Sequence, residues 1–179
     1  MRSKLTLILI AAVVFAGCGA DDGEPAATPV PKGFQELSGD GWSFAHPADW
    51  QVSAVAGGKL AQGADGTGGL APQAGVASDP QPPPFDLALE AFNADQTLKR
   101  AKRRVVRDED FDLAGAERAR LIEADYLEVT SKTETTPVRV IDVLVRTDDG
   151  VQLDFLLRAP RADFDRARLD EVLDTLRLQ

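Results

Sequence analysis

Four of the residue types that most often carry chemistry are almost missing from this chain. Its 179 residues contain one cysteine, one histidine, one methionine and one tyrosine. A single cysteine cannot close a disulfide within the chain, so no disulfide framework supports the fold. Aromatic residues make up only 6%. Positive charge is also short: 20 Lys+Arg stand against 29 Asp+Glu, a net charge of −9 that argues against a nucleic-acid partner. Nor is there an apolar run of the roughly twenty residues that a membrane-spanning helix needs. What is present is 44% hydrophobic and 27% charged residues, the composition of a globular core, at a length that suits one ordinary domain.

The N-terminus reads as an address. Arg2 and Lys4 precede an apolar stretch from Leu5 to Ala16, broken only by Thr6. About a dozen apolar residues is the proportion of a secretory signal peptide. Phe15-Ala16-Gly17-Cys18 then resembles a bacterial lipobox: a large apolar residue, two small ones, and the cysteine that receives a diacylglycerol thioether. The small residues admit a peptidase to the bond before Cys18, and the thiolate is the nucleophile that takes the lipid. Residues 1–17 are therefore expected to be removed and Cys18 to be the lipidation site. Two or three acyl chains, at roughly 0.8 kcal/mol per buried CH₂, give stable attachment. Loss of Arg2 and Lys4 leaves 18 basic against 29 acidic side chains, a mature charge of −11. Such a body is expected to stand off an anionic leaflet, held by its lipid alone.

Residues 18–32 are acidic and Pro-rich with almost no large apolar side chain, so they cannot bury enough surface to offset chain entropy. They read as a tether, with a single domain over 33–179. Trp42 and Phe44 alternate with Ser43 as in a half-buried strand that ends at Pro47, and Trp50-Gln51-Val52 resumes another. Residues 56–84 hold seven glycines and five prolines and read as a long loop, either a lid or rim beside a pocket or plain disorder, with one short strand at Gly75-Val76-Ala77. Phe85 to Phe92 alternates as a strand although its composition suits a helix, and the strand is preferred. A helix is expected from about Ala94 to Val106, stopping near Arg107.

Ala116 to Val129 reads as a strand pair or one long strand. Val138 to Arg146 is apolar on both faces, as in a central strand covered on two sides. Asp148-Asp149-Gly150 is a hairpin turn, and Val151, Leu153, Phe155 and Leu157 alternate in the strand after it. Asp163 is the expected N-cap of a closing helix that carries Leu169, Val172, Leu173 and Leu176. Hairpins with helices between and after them indicate α+β with an antiparallel sheet.

The string from Gly41 to Trp50, with Phe44, Pro47 and Trp50 in an F-x-x-P-x-x-W spacing, resembles the opening of PsbP-like proteins. That superfamily includes the Ran guanine-nucleotide release factor and actinobacterial lipoproteins of the LpqN type. Gly115-Ala116 before a strand, the Val138–Val145 strand, the Asp149-Gly150 hairpin and Arg158-Ala159-Pro160 before a helix are similar too. The resemblance covers most of the chain after residue 33. It implies an α-β-α sandwich around an antiparallel sheet and a binding or assembly accessory, and it brings no catalytic residues.

Other constellations have plainer readings. His46, between Ala45 and Pro47 at a strand end, reads as a turn or core-edge residue. With Cys18 lipidated, neither cysteine catalysis nor thiolate ligation of zinc is available. Asp108, Asp110 and Asp112 have a calcium-loop spacing, but Leu113 and Ala119 stand where Gly and Glu are needed, so a solvated acidic turn is expected. Lys59 is followed by Leu60, not Ser or Thr, which excludes a Walker loop. Lys99, Arg100, Lys102, Arg103, Arg104 and Arg107 form a basic cluster, read as a solvated helix face or as a contact face for headgroups, anionic polymer or an acidic partner.

The expectation is a monomeric, lipid-anchored envelope protein that binds a protein partner without catalysis and needs no cofactor or metal. The alternatives are a carrier with an apolar cavity between sheet and helix, lined by residues such as Leu89, Phe92, Val140 and Phe155, and a hydrolase, which needs a converging pair of perturbed carboxylates.

Overall fold

Residues 29–179 are described in a computed structural model. Their architecture follows from which strands are apolar on one face and which on two. β1 (Phe34–Gly39) and β2 (Trp42–Pro47) form a hairpin across Asp40-Gly41, with Gly41 at φ 76°. The short C-terminal β10 (Arg177–Leu178) adds to β2 and completes a three-stranded sheet. The large sheet has seven antiparallel strands: β3 (Gln51–Val55), β4 (Gly58–Gln62), β5 (Gln73–Asp79), β6 (Ala101–Asp110), β7 (Ala116–Val129), β8 (Thr135–Thr147) and β9 (Gln152–Pro160). Their spatial order is β3-β4-β5-β9-β8-β7-β6. Helix α1 (Phe85–Lys99) lies between β5 and β6 in sequence, and α2 (Leu169–Asp174) follows β9.

β8 and β9 sit at the centre and separate two cores. Ile141, Val143, Val145, Leu153, Phe155 and Leu157 pack with Trp42 and Phe44 of the small sheet and with Leu169 and Val172 of α2. On the opposite face Ile122 and Leu144 meet Phe85, Leu89 and Phe92 of α1. The fold is thus the expected mixed α+β arrangement with helices on both sides of an antiparallel sheet, and the small sheet shares one outer layer with α2. Trp42 joins the layers: its ring stacks on Phe44 at 5.8 Å and meets the edge of Phe155 at 6.3 Å. Thr175 locks the end of α2 to β2, with its Oγ1 accepting from the Ala45 N–H at 2.8 Å and donating to the Val172 carbonyl at 2.7 Å.

Three local expectations are corrected. Over Phe85–Phe92 a helix stands where a strand was preferred, and of the expected helix Ala94–Lys99 lies in α1 while β6 takes the part from Ala101 on. Phe85, Ala88, Leu89 and Phe92 recur at i, i+3, i+4 and i+7, so they form one helical stripe, while Leu87 lies exposed. The β-branched pair Val105-Val106 and a run of charges suit a solvated edge strand instead. Residues 56–84 are not one loop but include strands β4 and β5 and a 3-10 turn over Thr67–Gly69. Their glycines are needed for close approach: a Cβ on Gly58 would sit 1.7 Å from the Val76 carbonyl oxygen. Asp163 is not the cap of α2, which starts after Arg168 at φ 56°. Its buried carboxylate instead accepts the Thr67 N–H at 2.6 Å and Arg166 Nη2 at 2.7 Å, tying the Gly-rich connection to the body. Residues 116–129 are one strand, of the two readings left open.

Replacing Trp42 with Ala removes the ring that both sheets share, and a buried Trp→Ala change costs about 3–5 kcal/mol. Urea unfolding followed by circular dichroism is expected to show a loss of that size. A loss under about 1 kcal/mol would mean that the small sheet is not part of the central core.

Candidate functional site

A seven-stranded sheet spans roughly 30 Å at the usual strand spacing, whereas one helix is about 10 Å wide. α1 packs over β7 and β8 through Ile122 and Leu144, and farther along the same face Leu70 of the β4–β5 connection joins the cluster of Tyr126, Val138, Val140 and Leu156. The sheet surface beside α1, over β4, β5 and β9, is open. The result is a cleft of about 230 Å³ between Phe92 and Gln96 of α1 and strands β3, β4, β5, β8 and β9. Two registered rows form its floor and walls: Asp142, Leu156, Gly75 and Leu60 in one, and Leu144, Asp154, Ala77 and Gly58 in the next. Gly75 deepens the floor, since a Cβ there would crowd Leu60 at 2.9 Å.

One side of this apolar cleft carries charge. Arg100, the residue just after α1, reaches Asp142 with both ends of its guanidinium, Nη1 to Oδ2 at 2.5 Å and Nη2 to Oδ1 at 2.9 Å. Both side chains are nearly inaccessible, at 10% and 5% exposed. Burial holds the Asp142 carboxyl above the usual carboxylate range, and the bidentate Arg100 guanidinium and the Arg103 charge offset part of that rise. The same guanidinium lies 5.4 Å from the Tyr126 ring centroid. Arg103 stands beside the pair, donating to Asn93 Oδ1 at 3.1 Å, with its pKa lowered by burial and by the Arg100 charge. Asp154 is pushed up by burial, against a 2.9 Å hydrogen bond from Gln152 Nε2, and the negative charges of Asp142 and Asp79 add to the rise.

The residues singled out in the sequence are scattered. Cys18 lies outside the described residues. The six basic residues do not share one helix or one face. Lys99 ends α1 and pairs with Asp95 at 2.9 Å, and Arg100 and Arg103 turn under α1. Lys102 is exposed at a positive φ. Arg104 and Arg107 reach Asp125 and Glu123, which also hold Arg139 where it lies over Phe164 on the opposite side of the sheet. His46 is 1% exposed between the rings of Phe44 and Trp50, with Nδ1 2.8 Å from the Pro47 carbonyl oxygen, a core position rather than the core edge. Asp108 and Asp110 extend β6 and are bridged by Arg120 at 2.7 and 2.9 Å, so they lie in a strand rather than a turn.

Of the residues named for a cavity, Phe92 and Phe155 border the cleft, Leu89 packs under α1, and Val140 joins the cluster around Tyr126. Asp142, Arg100 and Asp154 as a group were missed. The available signal was a lone carboxylate, Asp142, inside the apolar run from Val140 to Val145.

No protein-family model and no curated protein matches this sequence. Among solved structures the fold is similar to that of LpqN, a protein involved in cell envelope biogenesis of Mycobacterium tuberculosis, with a TM-score of 0.54 and 13% identity over 82% of this chain and 91% of that one. A protein of unknown function from Pseudomonas aeruginosa, PA94, has a TM-score of 0.49 and 13% identity over 75% of this chain and 88% of that one. At such identity the likeness to LpqN is one of fold.

Because the folded state raises the Asp154 pKa, it keeps a proton at pH values where the unfolded chain has released it. Its contribution is therefore most favourable below the ordinary carboxylate range and declines as pH rises through the elevated value. Asp154→Asn keeps an acceptor for Gln152 but does not titrate. Its melting temperature is expected to match the native protein at about pH 3 and exceed it at about pH 7. A variant less stable than the native protein at neutral pH would show that the carboxylate has a stabilising partner.

Proposed function

We propose that this chain is a lipoprotein anchored through Cys18 to the extracytoplasmic face of a bacterial cell membrane, whose domain binds an envelope partner without catalysis. The observation that carries the binding reading is the apolar cleft that α1 leaves on the sheet. At about 230 Å³ it is smaller than the 300–1,000 Å³ of sites that enclose a whole small molecule, so it suits one group of a larger partner. The fold shared with LpqN, a protein of cell envelope biogenesis, supports an envelope setting. The leader and lipobox pattern of residues 1–18 supports the anchor. Among the described residues no helix is long and apolar enough to cross a membrane.

Asp142 and Asp154 do share the cleft with perturbed pKa values, the arrangement a hydrolase would use. Both oxygens of Asp142 are occupied by Arg100, however, so it is not free to exchange a proton with a substrate. This favours binding over acid–base chemistry. A second reading, a carrier of an apolar ligand, is favoured by the position of the cleft between helix and sheet, with Phe92 on its rim.

Cys18→Ser is expected to move the protein from the membrane pellet to the soluble fraction; unchanged pelleting would overturn the anchor. Native mass spectrometry of the protein isolated from its own host distinguishes the two binding readings. A mass equal to the lipidated polypeptide alone is expected, and a retained small molecule would replace the partner-binding reading with the carrier.

A further inference from the structure

The seven-stranded sheet has two free edges, and they are built differently. Most of β6 is charged, from Lys102 to Asp110; its register with β7 breaks twice, and Lys102 has φ 53°. Charge, bulges and irregular backbone are how a sheet keeps an edge from pairing with another strand. β3, Gln51-Val52-Ser53-Ala54-Val55, has none of them: no charge, proline or glycine, and unbroken register with β4 from Gln51–Gln62 to Val55–Gly58. All of it is exposed, Val52 at 46% and Val55 at 42%. Alternation decides which of its backbone groups face outward. The Ser78 N–H donates to the Gly57 carbonyl at 2.9 Å and the Gly63 N–H to the Pro72 carbonyl at 3.0 Å, so the odd-numbered residues of β4 bond to β5 and the even-numbered ones to β3. The β3 partners of those even-numbered residues are Gln51, Ser53 and Val55. Val52 and Ala54 therefore point N–H and C=O away from the sheet, donors and acceptors in a row that no described residue meets. Only another extended backbone matches such a row.

The edge continues into the cleft. Ser53 and Val55 lie on the cleft side of the sheet, in register with Leu60–Gly75 and Gly58–Ala77, and Val55 borders the cleft itself. At the other end of β3 a groove along Gln51, Val52 and Ser53 is bordered by Asp49 and Asp65 and by no basic residue. We infer that a partner protein adds an extended segment to β3, antiparallel like every pair in this sheet, with an apolar side chain opposite Ser53 turned toward Leu60 and basic residues at its C-terminal end beside Asp49 and Asp65. A second copy of this chain is a poor occupant. Two β3 edges offer five residues a side, against about 20–30 in a stable interface, and each copy carries a net charge of −9. A basic segment meets the acidic end of the edge with the opposite charge and draws its affinity from main-chain hydrogen bonds. The inference rests on the partner-binding reading and names how that partner attaches.

The test uses the mature lipidated protein in zwitterionic nanodiscs at low salt, with the peptide Ac-TVLVTKK-NH₂ as the probe. Paired antiparallel with its leucine opposite Ser53, the peptide turns both valine N–H groups toward β3 and the leucine N–H toward solvent. Binding is expected, read from the amide NMR shifts and slowed hydrogen exchange of Val52 and Ala54. Methylation of either valine nitrogen is expected to weaken it about tenfold, the scale of one backbone hydrogen bond, and methylation of the leucine nitrogen to leave it within about threefold. Ala54→Pro removes an outward N–H that the fold does not use, so the variant is expected to stay folded and to bind about tenfold more weakly. Ac-TVLVTEE-NH₂ is expected to bind about fivefold more weakly than the basic peptide. No binding up to about 1 mM, equal loss from methylation at all three nitrogens, or equal affinity of the two peptides overturns the inference. Loss of binding in Ala77→Leu with full binding in Ala54→Pro places the peptide in the cleft alone, which overturns the edge and leaves the cleft a binding site. Self-association of the solubilised protein that Ala54→Pro abolishes assigns the edge to a second copy and overturns the inference as well.

Discussion

The rest of the structure depends on a thirteen-residue strand, β8, that is buried on both faces. From Val138 to Val145 it alternates between two cores, with Ile141, Val143 and Val145 on one side and Val140 and Leu144 on the other. A strand of this kind is stable only if each side of the sheet is covered. The small sheet and α2 provide a wide cover on one side, fastened by Trp42 and Thr175. On the other side there is a single fifteen-residue helix, and its stripe of Phe85, Ala88, Leu89 and Phe92 shields the strands nearest to it. The unequal covers produce the cleft, so the candidate site is a geometric remainder of how the central strand is buried.

The Arg100–Asp142 pair fixes where that remainder lies. A buried ion pair adds little net stability, because desolvation of two charges offsets their attraction, but loss of one partner leaves a charge stranded. What such a pair can supply is position. Arg100 is the residue just after α1, and Asp142 is at the middle of β8, so the bidentate contact pins the end of the helix to one point of the sheet. The helix cannot slide toward β9 without stretching those two hydrogen bonds, and the cleft beside it stays open. The Tyr126 ring under the guanidinium supports the same position through a cation–π contact.

Much of this fold was legible in residue patterns, and the failures have physical causes. β8, the Asp149-Gly150 hairpin and β9 were readable because their signals are local and agree with one another: an apolar run, a turn dipeptide and strict alternation. Residues 85–92 were not, since Phe85, Leu89 and Phe92 fit a helical stripe while Leu87, Leu89 and Ala91 mimic a strand, and only Ile122 and Leu144 across the core decide between them. The glycines of 56–84 resembled disorder because a glycine required by a neighbouring backbone, as at Gly58 against Val76, has the same letter as one in a free loop. Most of the candidate site escaped for a related reason. Arg100 read as one of six similar basic residues, and its distinction is a partner forty-two positions away that no spacing rule connects to it.

The distribution of unfavourable groups is itself informative. Four buried side-chain atoms among the described residues lack a partner, and three are the Nε atoms of Arg103, Arg107 and Arg146. Each of those guanidiniums makes a contact through another nitrogen or at longer range, to Asn93, Glu123 and the Pro83 carbonyl respectively, so the orphaned atom belongs to a side chain already held. Gln152 Oε1 is the one acceptor, and its amide leans on a carboxylate that burial disfavours. Packing alone gives no reason to keep a glutamine and an aspartate there, because Leu153 and Phe155, their neighbours in sequence, serve the core on the other face. Where local choices are otherwise consistent with the fold, a concentration of exceptions marks a place with another use. Two of the four exceptions, Arg146 and Gln152, are direct partners across β8 and β9.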